Sequence, residues 1–223
     1  MPGSASRRKE PRIAAETEIL KAPLLPREFF NRDPREVARD LLGKLIVRRK
    51  GRKALAGRVV EVEAYLGAED AAAHAAAGRT PRNDVLFGPP GHAYVYFIYG
   101  VHYCLNISCM PEGEAGCVLI RALEPIAGIR EMAKARRLED LDVNSQRELR
   151  KLASGPGRLC EALDITRPRD NGKHLLSSSS DLQVRDDGYR VDKIAVTPRI
   201  GITKSAEMPL RYAIAQHPFV SRK

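Results

Sequence analysis

The segment Arg58–Gly67, RVVEVEAYLG, alternates between apolar and polar positions. Val60, Val62, Ala64 and Leu66 share one parity and Glu61, Glu63 and Tyr65 the other, which is the period of a strand with one face toward a core. Same-face residues on a strand stand about 7 Å apart, so the second face carries two carboxylates and a phenol in a row, on the side expected to be wet. Its plain reading is an ordinary surface face. Its chemical reading is carboxylate catalysis beside an aromatic ring, and alternation alone leaves Glu61 and Glu63 equal.

A net charge of +10, from 38 Lys and Arg against 28 Asp and Glu, favours a polyanionic partner. The 223 residues suffice for a sizeable core, and no repeat or linker divides them. We therefore read residues 22–223 as one domain. Residues 1–21 read as a basic N-terminal arm, polar and small through Ala15. Cys104, Cys109, Cys117 and Cys160 show no CxxC spacing, and three lie in or beside apolar runs; this predicts reduced, buried thiols, an intracellular setting and no structural metal. No apolar run approaches the ~18 residues of a membrane span.

Along the chain, Asp33 with Pro34 and Glu36 predicts a capped helix through Val37, Leu41 and Leu42, stopped by Gly43. A strand at Leu45–Val47 follows, and Arg48–Lys53 reads as a solvated hairpin tip. The stretch between Gly67 and Pro90 is a long Ala-, Gly- and Pro-containing loop with one imidazole, His74; loops of this length commonly cover a site. In a chain with seven Tyr, five Phe and no Trp, His92–Ser108 is the most aromatic piece and reads as a β-hairpin with Tyr99 and Gly100 near its tip. A tyrosine there either packs under a loop or inserts into a partner. Arg121, inside the apolar strand Gly116–Leu123, needs a carboxylate, a phosphate or a route to water. Helices are predicted over Gly128–Leu138 and Ser145–Ala153. The SGPG of Ser154–Gly157, with Arg158, reads either as a helix N-terminus holding phosphate or as a simple helix break.

A carboxylate strand, an aromatic face, an aromatic hairpin tip and a basic body together fit a protein that draws one base out of a duplex and cuts its glycosidic bond. The motifs GRVVEVEAYLG, AAH, TPRN, YVYFIYG, NIS, VLIRALEP, SGPGRL, TPRIGI and PLRY, in this order from about Ala22 onward, resemble the alkyladenine (3-methyladenine, or methylpurine) DNA glycosylase family. The resemblance implies an α+β fold, a single mixed domain with a curved antiparallel β-sheet, flanking helices and a protruding β-hairpin that enters the minor groove. It makes Glu63 the base that activates water, with Arg121 beside it, and Tyr65, His74 and Tyr96 the enclosure of the flipped base. Asn106 becomes the screen against exocyclic amino groups and Tyr99 the wedge. Arg82, Ser154, Gly155 and Arg158 are assigned to DNA contacts. The implied substrates are 3-methyladenine, 7-methylguanine, hypoxanthine and ethenoadenine in double-stranded DNA. No matched motif offers a lysine nucleophile, so the implied enzyme is monofunctional, and we expect a monomer without cofactor. The segment after His74 is shorter and richer in alanine than expected of vertebrate relatives, so a differently shaped pocket wall is expected there.

Two rivals remain at this stage. One is a non-catalytic nucleic-acid module; the other treats Glu61 and Glu63 as a carbohydrate hydrolase pair, since their spacing is near the ~6.5–9.5 Å of inverting enzymes.

Overall fold

In a computed structural model the protein is described over residues 16–51, 53–98, 100 and 102–221. Of the expected N-terminal arm, residues 1–15 lie outside the described residues, whereas α1 (Glu16–Lys21) is a short helix. Ile19 is buried with Val47 and Ala56, and Glu16 accepts a hydrogen bond from the Ala54 N–H at 3.1 Å. A single turn, α2 (Arg27–Phe30), leads into α3 (Pro34–Leu41). Its start follows from its sequence: Asp33 accepts from the Arg35 N–H at 2.7 Å and Pro34 occupies the first turn. Gly43, at φ +86°, ends the segment and donates its N–H to Val59 O, which seats the helix on the sheet.

The sheet is built around one long strand. β1 (Leu45–Lys50) runs back antiparallel into β2 (Lys53–Tyr65), and β3 (Ala93–Ile98) with β4 (His102–Cys109) makes the aromatic hairpin. β5 (Gly116–Ala127) pairs with both β4 and β2. Four helices follow, α4 (Ile129–Ala135), α5 (Gln146–Ala153), α6 (Pro156–Ala162) and α7 (Arg167–Asp170), then β6 (Leu182–Arg185), β7 (Ile194–Thr197) and β8 (Arg211–Ile214). The strand order is β3-β4-β5-β2-β1-β6, with β8 joined to β2 and β7. Because β5 occupies one edge of β2 along most of its length, β1 and β8 share the other edge end to end, at Lys53–Arg58 and Glu61–Glu63 respectively.

The result is a mixed α/β single domain with an antiparallel sheet and flanking helices, but the expected curvature is corrected: the sheet is not strongly curled. β2 is buried from Ala54 to Ala64, so material covers both of its faces, and a sheet sandwiched in this way has no need to wrap around its own core. Val60, Val62 and Ala64 join Val37, Leu41, Ile107 and Ile120 in the main hydrophobic cluster, against which α5 and α6 also pack. Each fully buried Val or Leu contributes about 1.5–3 kcal/mol.

The basic hairpin tip is a second correction. β1 continues through Arg48 to Lys50, and Arg48 is 1% exposed. Its guanidinium pairs with Asp170 and Asp181, both at 2.8 Å, and donates to Leu163 O. Those partners are more than a hundred residues away in sequence, so the local charge run carried no sign of them.

Candidate active site

The register of β2 against β5 slips between Val59 and Glu61 and again between Glu61 and Val62, and Arg121 falls outside the paired positions. An irregularity of this kind re-aims a side chain. Arg121 Nε donates to Glu61 Oε1 at 2.9 Å, and Nη1 lies 3.1 Å from Glu63 Oε1. The polar face of β2 is therefore not wet: both glutamates are 0% exposed. Their cover arrives from the C-terminal part of the chain. Arg211 Nε donates to Glu61 Oε1 at 2.8 Å, the Ser221 N–H to Glu61 Oε2 at 2.6 Å, and the Ile200 N–H to Glu63 Oε1 at 2.8 Å.

These contacts separate the two acids. Burial pushes the Glu61 carboxyl up, but hydrogen bonds from Arg211 and Ser221 and the charge of Arg121 outweigh it and hold Glu61 below its ordinary value. Glu61 is an ionised anchor with both oxygens engaged. Glu63 instead lines a cavity of about 380 Å³, where its Oε2 accepts from the Tyr65 hydroxyl at 3.1 Å.

The same cavity brings together Tyr65, His74, Tyr96, Asn106 and Arg121, with Arg82 at its rim. His74 meets Tyr96 edge-on at 4.5 Å between ring centroids, and its Nδ1 is hydrogen-bonded to the Tyr94 hydroxyl at 2.8 Å. Tyr94 also lines the cavity and was missed by sequence reasoning, although it shares a strand face with Tyr96. Burial and the neighbouring Glu63 carboxylate raise the Tyr65 phenol well above its ordinary value; burial also raises Tyr96, and takes Tyr94 to about 12. All three remain neutral. Partial burial of the ring, followed by the charge of Arg82, lowers His74, which favours neutral imidazole. Asn106 donates to Tyr94 O at 3.3 Å and accepts from the Cys117 thiol at 3.7 Å.

The loop bearing His74 is held at two points. Asn83 of TPRN donates to His74 O and Gly78 O, each at 2.9 Å, and accepts from the Thr80 N–H. Asp70 accepts from the Ala72 and Leu66 N–H groups and pairs with Arg199. Asp70 was not singled out in sequence and Arg199 stood there only within the TPRIGI motif, because a buried pair separated by 129 residues leaves no local pattern.

Tyr99 lies outside the described residues; beside it on the hairpin, Phe97 is exposed and Ile98 lines the cavity. Among the described residues, Pro156 of SGPG reaches the cavity, whereas Ser154, Gly155 and Arg158 do not line it. The Ser154 hydroxyl donates to Phe219 O at 2.7 Å, and Arg158 is exposed. Gly157 is needed for a close approach, since a Cβ there would lie 2.8 Å from the His102 ring. All four cysteines are free and buried. Cys104 and Cys117 line the cavity, where burial pushes their thiols up to about 11 and 12, so neither is an activated nucleophile. Among the described residues, no group of three or more His, Cys, Asp or Glu is placed to hold a metal ion, and no helix is long and apolar enough to cross a membrane.

The family profile described as Methylpurine-DNA glycosylase (MPG) matches residues 28–218. A relative from Koribacter versatilis is 64% identical over 199 residues, covering 89% of this chain and 93% of its own. Relatives from Methanocella arvoryzae, 46% identical over 204 residues, and Alkaliphilus oremlandii, 42% identical over 203, cover 97% and 99% of their own lengths and 90% and 89% of this one. All three carry the provisional name 3-methyladenine DNA glycosylase. Fold, site and relatives define a DNA-binding hydrolase of base excision repair, a DNA glycosylase. Within that class, the chain belongs to the methylpurine-DNA glycosylase family.

Proposed function

We propose that the protein is a monofunctional glycosylase that turns alkylated or deaminated purines out of duplex DNA and hydrolyses the N-glycosidic bond with water activated by Glu63. Water oxygen bonds to C1′, Glu63 takes its proton, and the base departs with the electrons of the broken C1′–N bond, leaving an abasic site. The observation that carries this reading is the position of Glu63. Oε1 is fixed by the Ile200 N–H and faces Arg121, while the side chain lines an aromatic cavity. A carboxylate so held can accept a proton and also stabilise the oxocarbenium-like transition state.

The other residues take roles that follow from their chemistry. Tyr65, His74 and Tyr96 enclose the base, and a purine made cationic by alkylation is attracted to tyrosine faces by ~0.5–2 kcal/mol. Asn106 screens purines with an exocyclic amino group. Tyr99 fills the vacated place in the duplex, Arg82 contacts DNA at the rim of the cavity, and Ser154, Gly155 and Arg158 contact it outside the cavity. Neutral lesions such as hypoxanthine need a proton as they leave; cationic ones do not. The enzyme acts as a monomer, and water attack requires no cofactor.

The test is incubation with duplexes each holding one 3-methyladenine, 7-methylguanine, hypoxanthine or ethenoadenine. Abasic sites in intact strands are expected from the alkylated purines. Absence of base release from all four, or a Schiff-base adduct trapped by borohydride, would overturn the reading.

A further inference from the structure

Tyr65 has a charged pair behind it. The Arg199 guanidinium lies over the Tyr65 ring, 4.6 Å from its centroid, and Arg199 does not line the cavity that Tyr65 faces. Both side chains of the Arg199–Asp70 pair are wholly buried. Arg199 Nη2 donates to Asp70 Oδ1 at 2.8 Å, Nη1 donates to the other carboxylate oxygen, and Nη1 also donates to Ala64 O at 3.0 Å.

A lone guanidinium in this place would oppose the chemistry in front of the ring. A cation on one face of tyrosine draws on the same electron density that a cationic base uses on the other. Direct repulsion adds to this. With the base stacked at a contact distance of about 3.5 Å, the two charges would stand roughly 8 Å apart across the ring, close enough to interact appreciably in a site shielded from water. Asp70 removes the opposing charge at its source.

Building on the glycosylase reading above, we infer that Asp70 is a specificity-determining residue: by neutralising Arg199 behind Tyr65, it lets the pocket accept cationic alkylpurines as well as neutral ones. It acts through Arg199 and Tyr65 and does not touch the base. A purely structural role makes a different prediction. Arg199 adjoins Ile200, whose N–H holds Glu63, so if Asp70 only kept that loop in place, its loss would slow excision of every lesion alike.

The experiment compares single-turnover base release from duplexes holding 3-methyladenine, which is cationic in DNA, and hypoxanthine, which is neutral. In Asp70→Asn the ratio of the cationic to the neutral rate falls on the order of tenfold, and in Asp70→Asn/Arg199→Met, where both charges are gone, it returns to within about twofold of wild type. Arg199→Met, assayed at pH 8 so that the remaining carboxylate is ionised, shifts the ratio the opposite way, which keeps the inference open to refutation should Asp70→Asn not fold. Equal slowing of both lesions in Asp70→Asn, a double variant that keeps the lowered ratio, or an unchanged ratio in Arg199→Met would overturn it. Wild-type protein releasing neither base would instead remove the glycosylase reading beneath it, a failure distinguishable from an unchanged ratio in an active enzyme.

Discussion

Arg121 Nη1 lies 3.1 Å from Glu63 Oε1, and the same guanidinium is held from behind by Glu61. Burying three charges costs several kcal/mol unless each finds partners, and Glu61 supplies them to both Arg121 and Arg211. Replacing Glu61 by Gln takes one buried carboxylate from both Arg121, which keeps Glu63, and Arg211, which keeps Thr197, and should destabilise the fold by about 3–5 kcal/mol in urea unfolding. Because the folded Glu61 carboxyl titrates below its unfolded value, its contribution is complete above the unfolded value and is lost as pH falls through the folded one. The stability gap between wild type and variant should therefore narrow in acid. A gap that is constant with pH, or under 1 kcal/mol by the same scale, would mean the anchor is dispensable.

The hairpin is seated by a contact at Gly157. A Cβ there would meet the His102 ring, and His102 Nδ1 in turn lies 3.1 Å from Glu161 Oε1 on α6. Gly157→Ala should displace the start of β4, next to the hairpin tip, and weaken lesion-duplex binding severalfold, whereas Gly157→Ala/His102→Ala should recover most of the loss, since coupled neighbours are non-additive. Additive losses in titrations with labelled duplex would count against this seating.

Arg82 bears on His74 through charge. Its positive charge is the second cause, after burial, of the lowered imidazole value, so Arg82→Ala should move the His74 titration upward while leaving it below that of a solvated histidine. NMR titration of the imidazole resonances reads this directly, and a downward shift or none would show that the charge is not felt.

Signals confined to a few neighbouring residues were legible in the chain. Asp33, Pro34 and Gly43 bound α3 as expected, and the alternation in β2 and in β3–β4 gave strands with the right residues on shared faces. What stayed hidden depended on distant segments. The period of β2 reports that Glu61, Glu63 and Tyr65 share a face, but Arg211, Ser221 and Ile200, which bury the two acids, lie more than a hundred residues further on. The same holds for Arg48 with Asp170 and for Asp70 with Arg199. Sheet curvature was not legible either, because it depends on which faces become covered. Equivalence of Glu61 and Glu63 was broken by the motif resemblance alone, and their unequal surroundings then became visible in three dimensions.

The most direct measurement is made on Glu63→Gln, which keeps the shape of the side chain and removes its basicity. The account predicts that single-turnover release of 3-methyladenine falls by roughly 10²–10⁴-fold while affinity for the lesion duplex stays close to that of wild type. Base release at the wild-type rate in a correctly folded Glu63→Gln protein would contradict it.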